Sequence, residues 1–245
     1  VSLGITCSGL RREFAGVAVV DDVTFRAPAG RVTAVVGPNG AGKTTLLSML
    51  AGRLRPHRGW LRVEDADPSA EPWVVRSRVG WVPDVYESSE TWSVAEVVRF
   101  SAKIAGHSAD AADELVDRAM HLARLAGSAS TPVLRLSRSD KKWLGLARAL
   151  AAGTTALVLD NPMADLDHDG RRYLAGMLRA LARQDMTIVV SACLADDLAG
   201  CAENILHIDH GRLVAGDASV PAPVEPRTAF AGPDARGSRR PATSV

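Results

Sequence analysis

The stretch "GPNGAGKT" (Gly37 to Thr44) has the order G-x-x-x-x-G-K-[ST], which combines a tight turn, a lysine and a hydroxyl. Gly40 and Gly42 let the backbone curl so that its N–H groups point inward at phosphate oxygens, and a helix starting there adds partial positive charge. Lys43 is spaced to reach the β- and γ-phosphates of a nucleotide, and the Thr44 hydroxyl to ligate its Mg²⁺. The chemistry implied is the binding of Mg²⁺-loaded ATP or GTP by Gly37, Pro38, Asn39, Gly40, Ala41, Gly42, Lys43, Thr44 and Thr45. A phosphate-bound Mg²⁺ also draws on a carboxylate from a neighbouring strand. Asp160, closing the apolar run "TALVLD", fills that role. The residue after it is Asn161, an amide that can hold a water but cannot take its proton.

These residues need rigid supports. "RVTAVVG" (Arg31 to Gly37) reads as a buried strand, and "KTTLLSMLAG" from Lys43 as a helix stopping at Gly52. "TALVLD" and "MTIVVSA" (Met186 to Ala192) read as two more buried strands, joined by the helical spacing of "DHDGRRYLAGMLRALARQ". Strands alternating with helices predict an α/β fold with a mostly parallel sheet covered on both faces. Between them, residues 84–153 lack comparable strands. "SVAEVVRFSAKIAG" and "ADAADELVDRAMHLARLAG" have amphipathic spacing and glycine ends, so this region is expected to be a helical insertion. "NILHIDHGRLVAGD" predicts two short closing strands about an "HG" turn. The expected organisation is one domain over 1–217, with its core in 1–83 and 154–217 and the insertion in 84–153. Residues 218–245, rich in Pro, Ala and Arg, are expected to form a disordered tail.

A chain of 245 residues can bury one core with room for a small subdomain, and 47% hydrophobic with 23% charged residues fits a globular protein. Aromatics at 4% and a net charge of +1 weigh against base-stacking platforms and against nucleic acid as a partner. Cys7, Cys193 and Cys201 are odd in number and lack CxxC spacing, which points away from a disulfide framework or zinc site. No apolar run reaches spanning length and the first residues lack a signal-peptide pattern. The expected location is cytoplasmic.

"GPNGAGKTT" followed by "LDNPMADLD" resembles the nucleotide-binding subunit of ABC transporters, and so do "RLSRSDKKWLGLARAL", "IVVSAC" and "HIDHGRLVAGD". The likeness spans about Leu3 to Asp217 and is strongest to bacterial drug- and polysaccharide-export subunits. It implies a P-loop NTPase core with an inserted helical subdomain, and ATP with Mg²⁺ as ligands. Two subunits would sandwich ATP, and an integral-membrane permease would dock near the insertion, holding the protein at the inner face of the membrane. By the same resemblance Phe14 occupies the place of the adenine-stacking aromatic.

Several positions depart from the family pattern. Asn161 stands for the family's glutamate base, Cys193 for its γ-phosphate histidine, and Asp84 for the glutamine linking Mg²⁺ to the helical insertion. The signature LSGGQ is here "LSRSD", with Ser137, Arg138, Ser139 and Asp140, and Asp165 replaces a usual glycine. Hydrolysis is therefore expected to be weak or lost while ATP binding is kept. The open alternatives are an active ATPase in which Asp84 or Asp165 replaces the base, and a soluble nucleotide sensor or scaffold. In a two-fold dimer each site joins one chain's phosphate loop to the other's signature, so a homodimer would place both defects in both sites. A heterodimer with an intact subunit is favoured.

Overall fold

In the computed structural model, which describes residues 4–86 and 91–214, every residue of β3 (Val32–Val36), β6 (Ala156–Leu159) and β7 (Thr187–Ala192) is buried. Strands without a wet face need cover on both sides. Together with β5 (Val79–Val82), β8 (Asn204–Asp209) and β9 (Arg212–Leu213) they form a six-stranded sheet in the order β5-β6-β7-β3-β8-β9. All pairings are parallel except β8 with β9, which close through the predicted turn at His210 and Gly211.

The two-residue period of a strand divides the side chains between two cores. Val32, Ala34, Val36, Leu157, Leu159, Ile188, Val190 and Ala192 face one, with α6 (His168–Ala182) and the inserted helices α3 (Val94–Ile104), α4 (Ala109–Leu122) and α5 (Arg138–Ala151). Val35, Val158 and Val189 face the other, with α1 (Lys43–Leu50). Asp160 continues the alternation of β6, and Ser191 that of β7, onto the α1 side.

The second core is closed by an antiparallel sheet, β2-β1-β4, of β1 (Ile5–Phe14), β2 (Val17–Ala27) and β4 (Arg58–Val63). Sequence reading did not anticipate it. Its register shifts at several points along β1, which breaks the alternation that identifies a strand. Another short helix, α2 (Pro72–Arg78), leads into β5.

The inserted helices begin at side-chain caps. Ser93 and Glu96 form a reciprocal capping box on α3, and Ser108 and Ser137 cap α4 and α5. α3 ends as expected, with Gly106 at φ +86° just beyond it. α4 ends earlier than its glycine predicts. It stops at Leu122, and Arg124 takes the left-handed φ of +56°, with its guanidinium 3.7 Å from the Tyr173 ring centroid. That cation–π contact offsets part of the backbone cost. The expected tail over 218–245 lies outside the described residues.

Candidate functional site

Parallel strands deliver their C-terminal ends to one edge, where ligands of open α/β sheets bind. β3 releases the chain at Gly37 into a turn that re-enters a helix at Lys43. A Cβ on Gly37 would lie 2.0 Å from the Ile208 carbonyl oxygen. Gly42, at φ +99°, would place one 2.4 Å from the Val19 carbonyl oxygen. Backbone from β8 and from β2 thus presses on the turn from two sides, and only glycine fits. Lys43 is buried, and its ammonium donates to the carbonyls of Gly37 at 2.7 Å and Pro38 at 2.9 Å. α1 begins with no side-chain cap and no acid in its first turn, so its first N–H groups face the turn.

Asp160 follows directly on β6 and is 3% exposed. One carboxylate oxygen accepts from the Thr44 hydroxyl at 2.7 Å, the other from the Ser191 hydroxyl at 2.6 Å. A threonine hydroxyl beside a carboxylate is a hard-oxygen set suited to Mg²⁺ with few protein ligands and phosphate oxygens for the rest. Among the described residues no group of three or more His, Cys, Asp or Glu gathers to bind a metal by itself. With the uncapped helix end, this donor set fits a metal arriving on a triphosphate.

Asn161 follows at φ +48°, a left-handed conformation that asparagine tolerates better than most residues. Its N–H donates to the Ser191 hydroxyl at 2.9 Å, and its carbonyl accepts from the Lys142 ammonium at 2.8 Å. Lys142 also donates to Asp84 at 2.9 Å, just past β5. The Cys193 thiol, two residues beyond Ser191, donates to the Asn39 side chain at 3.1 Å. Asp165 has φ +61°, a left-handed conformation that glycine adopts freely and aspartate more readily than most other residues.

A cavity of about 210 Å³ brings these groups together, lined by Lys43, Thr44, Asp84, Asp160, Asn161 and Cys193 among others. Neither Asp165 nor Phe14 lines it. Phe14 is 45% exposed, with the Arg12 guanidinium 4.9 Å from its ring centroid. The segment Ser137 to Asp140 forms the N-terminal end of α5, away from the cavity lining. There the Ser137 hydroxyl bonds to the Ser139 hydroxyl at 2.9 Å and to the Asp140 carboxylate at 2.7 Å, and accepts from the Asp140 N–H at 3.1 Å. Sequence reasoning missed Ser191 and Lys142. Ser191 was legible as the polar residue in an apolar strand two places before Cys193. Lys142 was signalled only by its place beside the apolar face of α5.

The sequence pattern of the family described as ABC transporter matches residues 20–164. The Nod factor export ATP-binding protein I of Bradyrhizobium diazoefficiens is 30% identical over 214 residues, covering 87% of this chain and 70% of that protein. Its namesake in Burkholderia lata is 32% identical over 206 residues, covering 84% and 68%. A solved ATP-binding subunit of an ABC transporter superposes with TM-score 0.81 at 20% identity, covering 88% of this chain and 90% of that one. A dimeric, post-hydrolysis ATP-binding cassette bound to ADP and Pi gives 0.79 at 18%, covering 87% and 98%. At these identities the two structures speak to the fold alone.

Proposed function

The chain belongs to the ABC transporter family of ATP-binding subunits, and on that premise we propose that it serves an exporter by binding Mg-ATP and pairing around it, with hydrolysis weak or lost. The carrying observation is the cavity itself. Lys43, Thr44 and Asp160 converge there, while the position next to the metal carboxylate presents an amide. The Gly37–Thr45 turn would hold the phosphates, and Thr44 with Asp160 would hold Mg²⁺, which neutralises phosphate charge when bound. Asn161 can orient a water but leaves its proton without an acceptor, and the Cys193 thiol brings a weak donor where the family has an imidazole. Loss of general-base help alone slows a reaction by about 10²–10⁴-fold.

The cavity is smaller than the ~300–1,000 Å³ usual for a whole small-molecule ligand, so base and ribose would lie on the outer surface towards Phe14. A second subunit would close the site. The self-capped Ser137–Asp140 end offers that partner's γ-phosphate a carboxylate, which supports pairing with a different subunit carrying an intact signature. The partners are thus a second nucleotide-binding subunit and a membrane permease. A cavity of about 670 Å³ between α5 and β5, with Arg53, Arg76 and Arg148 around Trp81 and Ile104, supports docking of a permease segment. Among the described residues no helix is long and apolar enough to cross a membrane, so membrane attachment would run through that permease. We also take residues 84–153 as the limits of the helical insertion.

A second reading, hydrolysis with Asp84 as substitute base, draws support from its place in the cavity wall. Calorimetry with Mg-ATP and single-turnover hydrolysis test both. Wild type is expected to bind, Lys43→Ala to bind at least about tenfold more weakly, as loss of a charged hydrogen bond dictates, and turnover to stay near background. Equal binding by Lys43→Ala would remove the site assignment, and wild-type turnover abolished by Asp84→Ala would establish the second reading instead.

A further inference from the structure

Lys142 is a lysine that the proposed binding chemistry does not use, yet its side chain is only 6% exposed. Taking an ammonium out of water is costly unless strong acceptors meet it. It meets two, the Asp84 carboxylate at 2.9 Å and the Asn161 carbonyl at 2.8 Å. The acceptors follow different strands, β5 and β6, and both line the nucleotide cavity. The lysine comes from α5, where Trp143, Leu144, Leu146 and Ala147 beside it are buried in the helical core. Its position lies about one turn from the capped end formed by Ser137 and Asp140. One side chain therefore ties two walls of the cavity to the helix that carries the signature.

The peptide of Asn161 is held through its backbone, not its side chain. Its N–H is fixed by Ser191, and its carbonyl takes both Lys142 and the N–H of Ala164 at 3.2 Å. These bonds maintain φ +48° and leave the amide at the cavity surface. Asp84, half-exposed at 44%, has one oxygen committed to Lys142. An acid at position 84 and a cation at position 142 are thus matched in charge across the boundary between sheet and insertion.

We propose that Lys142 is a positioning residue that fixes Asp84 and the Asn161 peptide and transmits the state of the nucleotide cavity to the N-terminal end of α5. The link is ionic, so it persists without a neutral amide at position 84. Transmission rests on the proposed Mg-ATP binding; the fixing of the two residues does not.

The test uses the full chain as wild type, Lys142→Met, Lys142→Arg, Asp84→Asn and the Lys142→Met/Asp84→Asn double variant, followed by amide hydrogen exchange. Without nucleotide, Lys142→Met is expected to speed exchange at the amides of Asn161, Met163 and Ala164 by about tenfold, the ratio given by a lost charged hydrogen bond, while Lys142→Arg stays near wild type. Unchanged exchange in Lys142→Met overturns the positioning role. Should Lys142→Met not fold, Asp84→Asn carries the test, and exchange over 138–145 equal to wild type with and without Mg-ATP overturns the proposal. With Mg-ATP, wild type and Lys142→Arg are expected to change exchange over 138–145. Lys142→Met and Asp84→Asn should each lose that response, and the double variant should lose no more than either alone, as for two members of one interaction. Additive losses, or a retained response in Lys142→Met, overturn transmission. If calorimetry finds no Mg-ATP bound to wild type, the functional reading fails, and the nucleotide-free comparison still decides the positioning role.

Discussion

At the scale of single residues, the three cysteines separate into two kinds. Burial pushes the Cys7 thiol up to about 12, and burial with the nearby Glu203 raises Cys201 to about 11. Neither can form a thiolate near neutral pH, and the thiolate is the reactive species. Cys193 is partly exposed and lines the cavity beside Asn39. A thiol reagent at neutral pH is expected to modify Cys193 alone in the folded chain, and Mg-ATP to slow that modification by about tenfold or more through simple occlusion. Mass spectrometry of labelled peptides reads both, and equal labelling with and without Mg-ATP would count against the cavity as the nucleotide site. The residues on the phosphate turn were legible because their chemistry and spacing are local. Lys142 was not, because its acceptors lie 58 and 19 residues away in the chain and only the fold brings them to one ammonium.

At the scale of elements, α5 carries its own anion. The Asp140 carboxylate bonded to Ser137 occupies the end where backbone N–H groups would otherwise favour a phosphate from a facing subunit. Asp140→Ala removes that charge. It is expected to lower stability by about 0.3–1 kcal/mol, the usual worth of a terminal charge, while strengthening Mg-ATP-dependent association. Thermal melting and sedimentation velocity measure the two effects, which should have opposite signs. The apolar strands β3, β6 and β7 and the capped helices were readable as periodic patterns. The antiparallel sheet was hidden by its interruptions, since Gly9, at φ +61°, and Asp22, at φ +56°, break the two-residue rhythm of β1 and β2. The early end of α4 was hidden for another reason. The residue that turns the chain there, Arg124, packs its guanidinium on Tyr173 from α6, a partner that no local window contains.

At the scale of the whole molecule, β2 and β9 are bound to each other through Asp21, which pairs with Arg11 and Arg212. Burial tends to raise its pKa, but hydrogen bonds and charge from the two arginines outweigh this and hold the carboxyl below its ordinary value. A lowered folded-state pKa contributes stability at pH values above the unfolded carboxyl's range and loses it as pH falls through the depressed value. Asp21→Asn is therefore expected to melt below wild type near pH 7 and to converge with it only as pH falls below the ordinary carboxylate range, through the depressed value of the folded carboxyl. A constant difference across that range would mean that Asp21 acts through packing alone. The same organisation gathers the lining of the cavity at one edge of the parallel sheet, away from the edge where the strands begin. The exposed turn at Gln184 and Asp185, between α6 and β7, belongs to that far side. It is where a fluorescent segment or affinity handle can be spliced in to watch the subunit at work, with the full length of the strands separating the graft from the nucleotide.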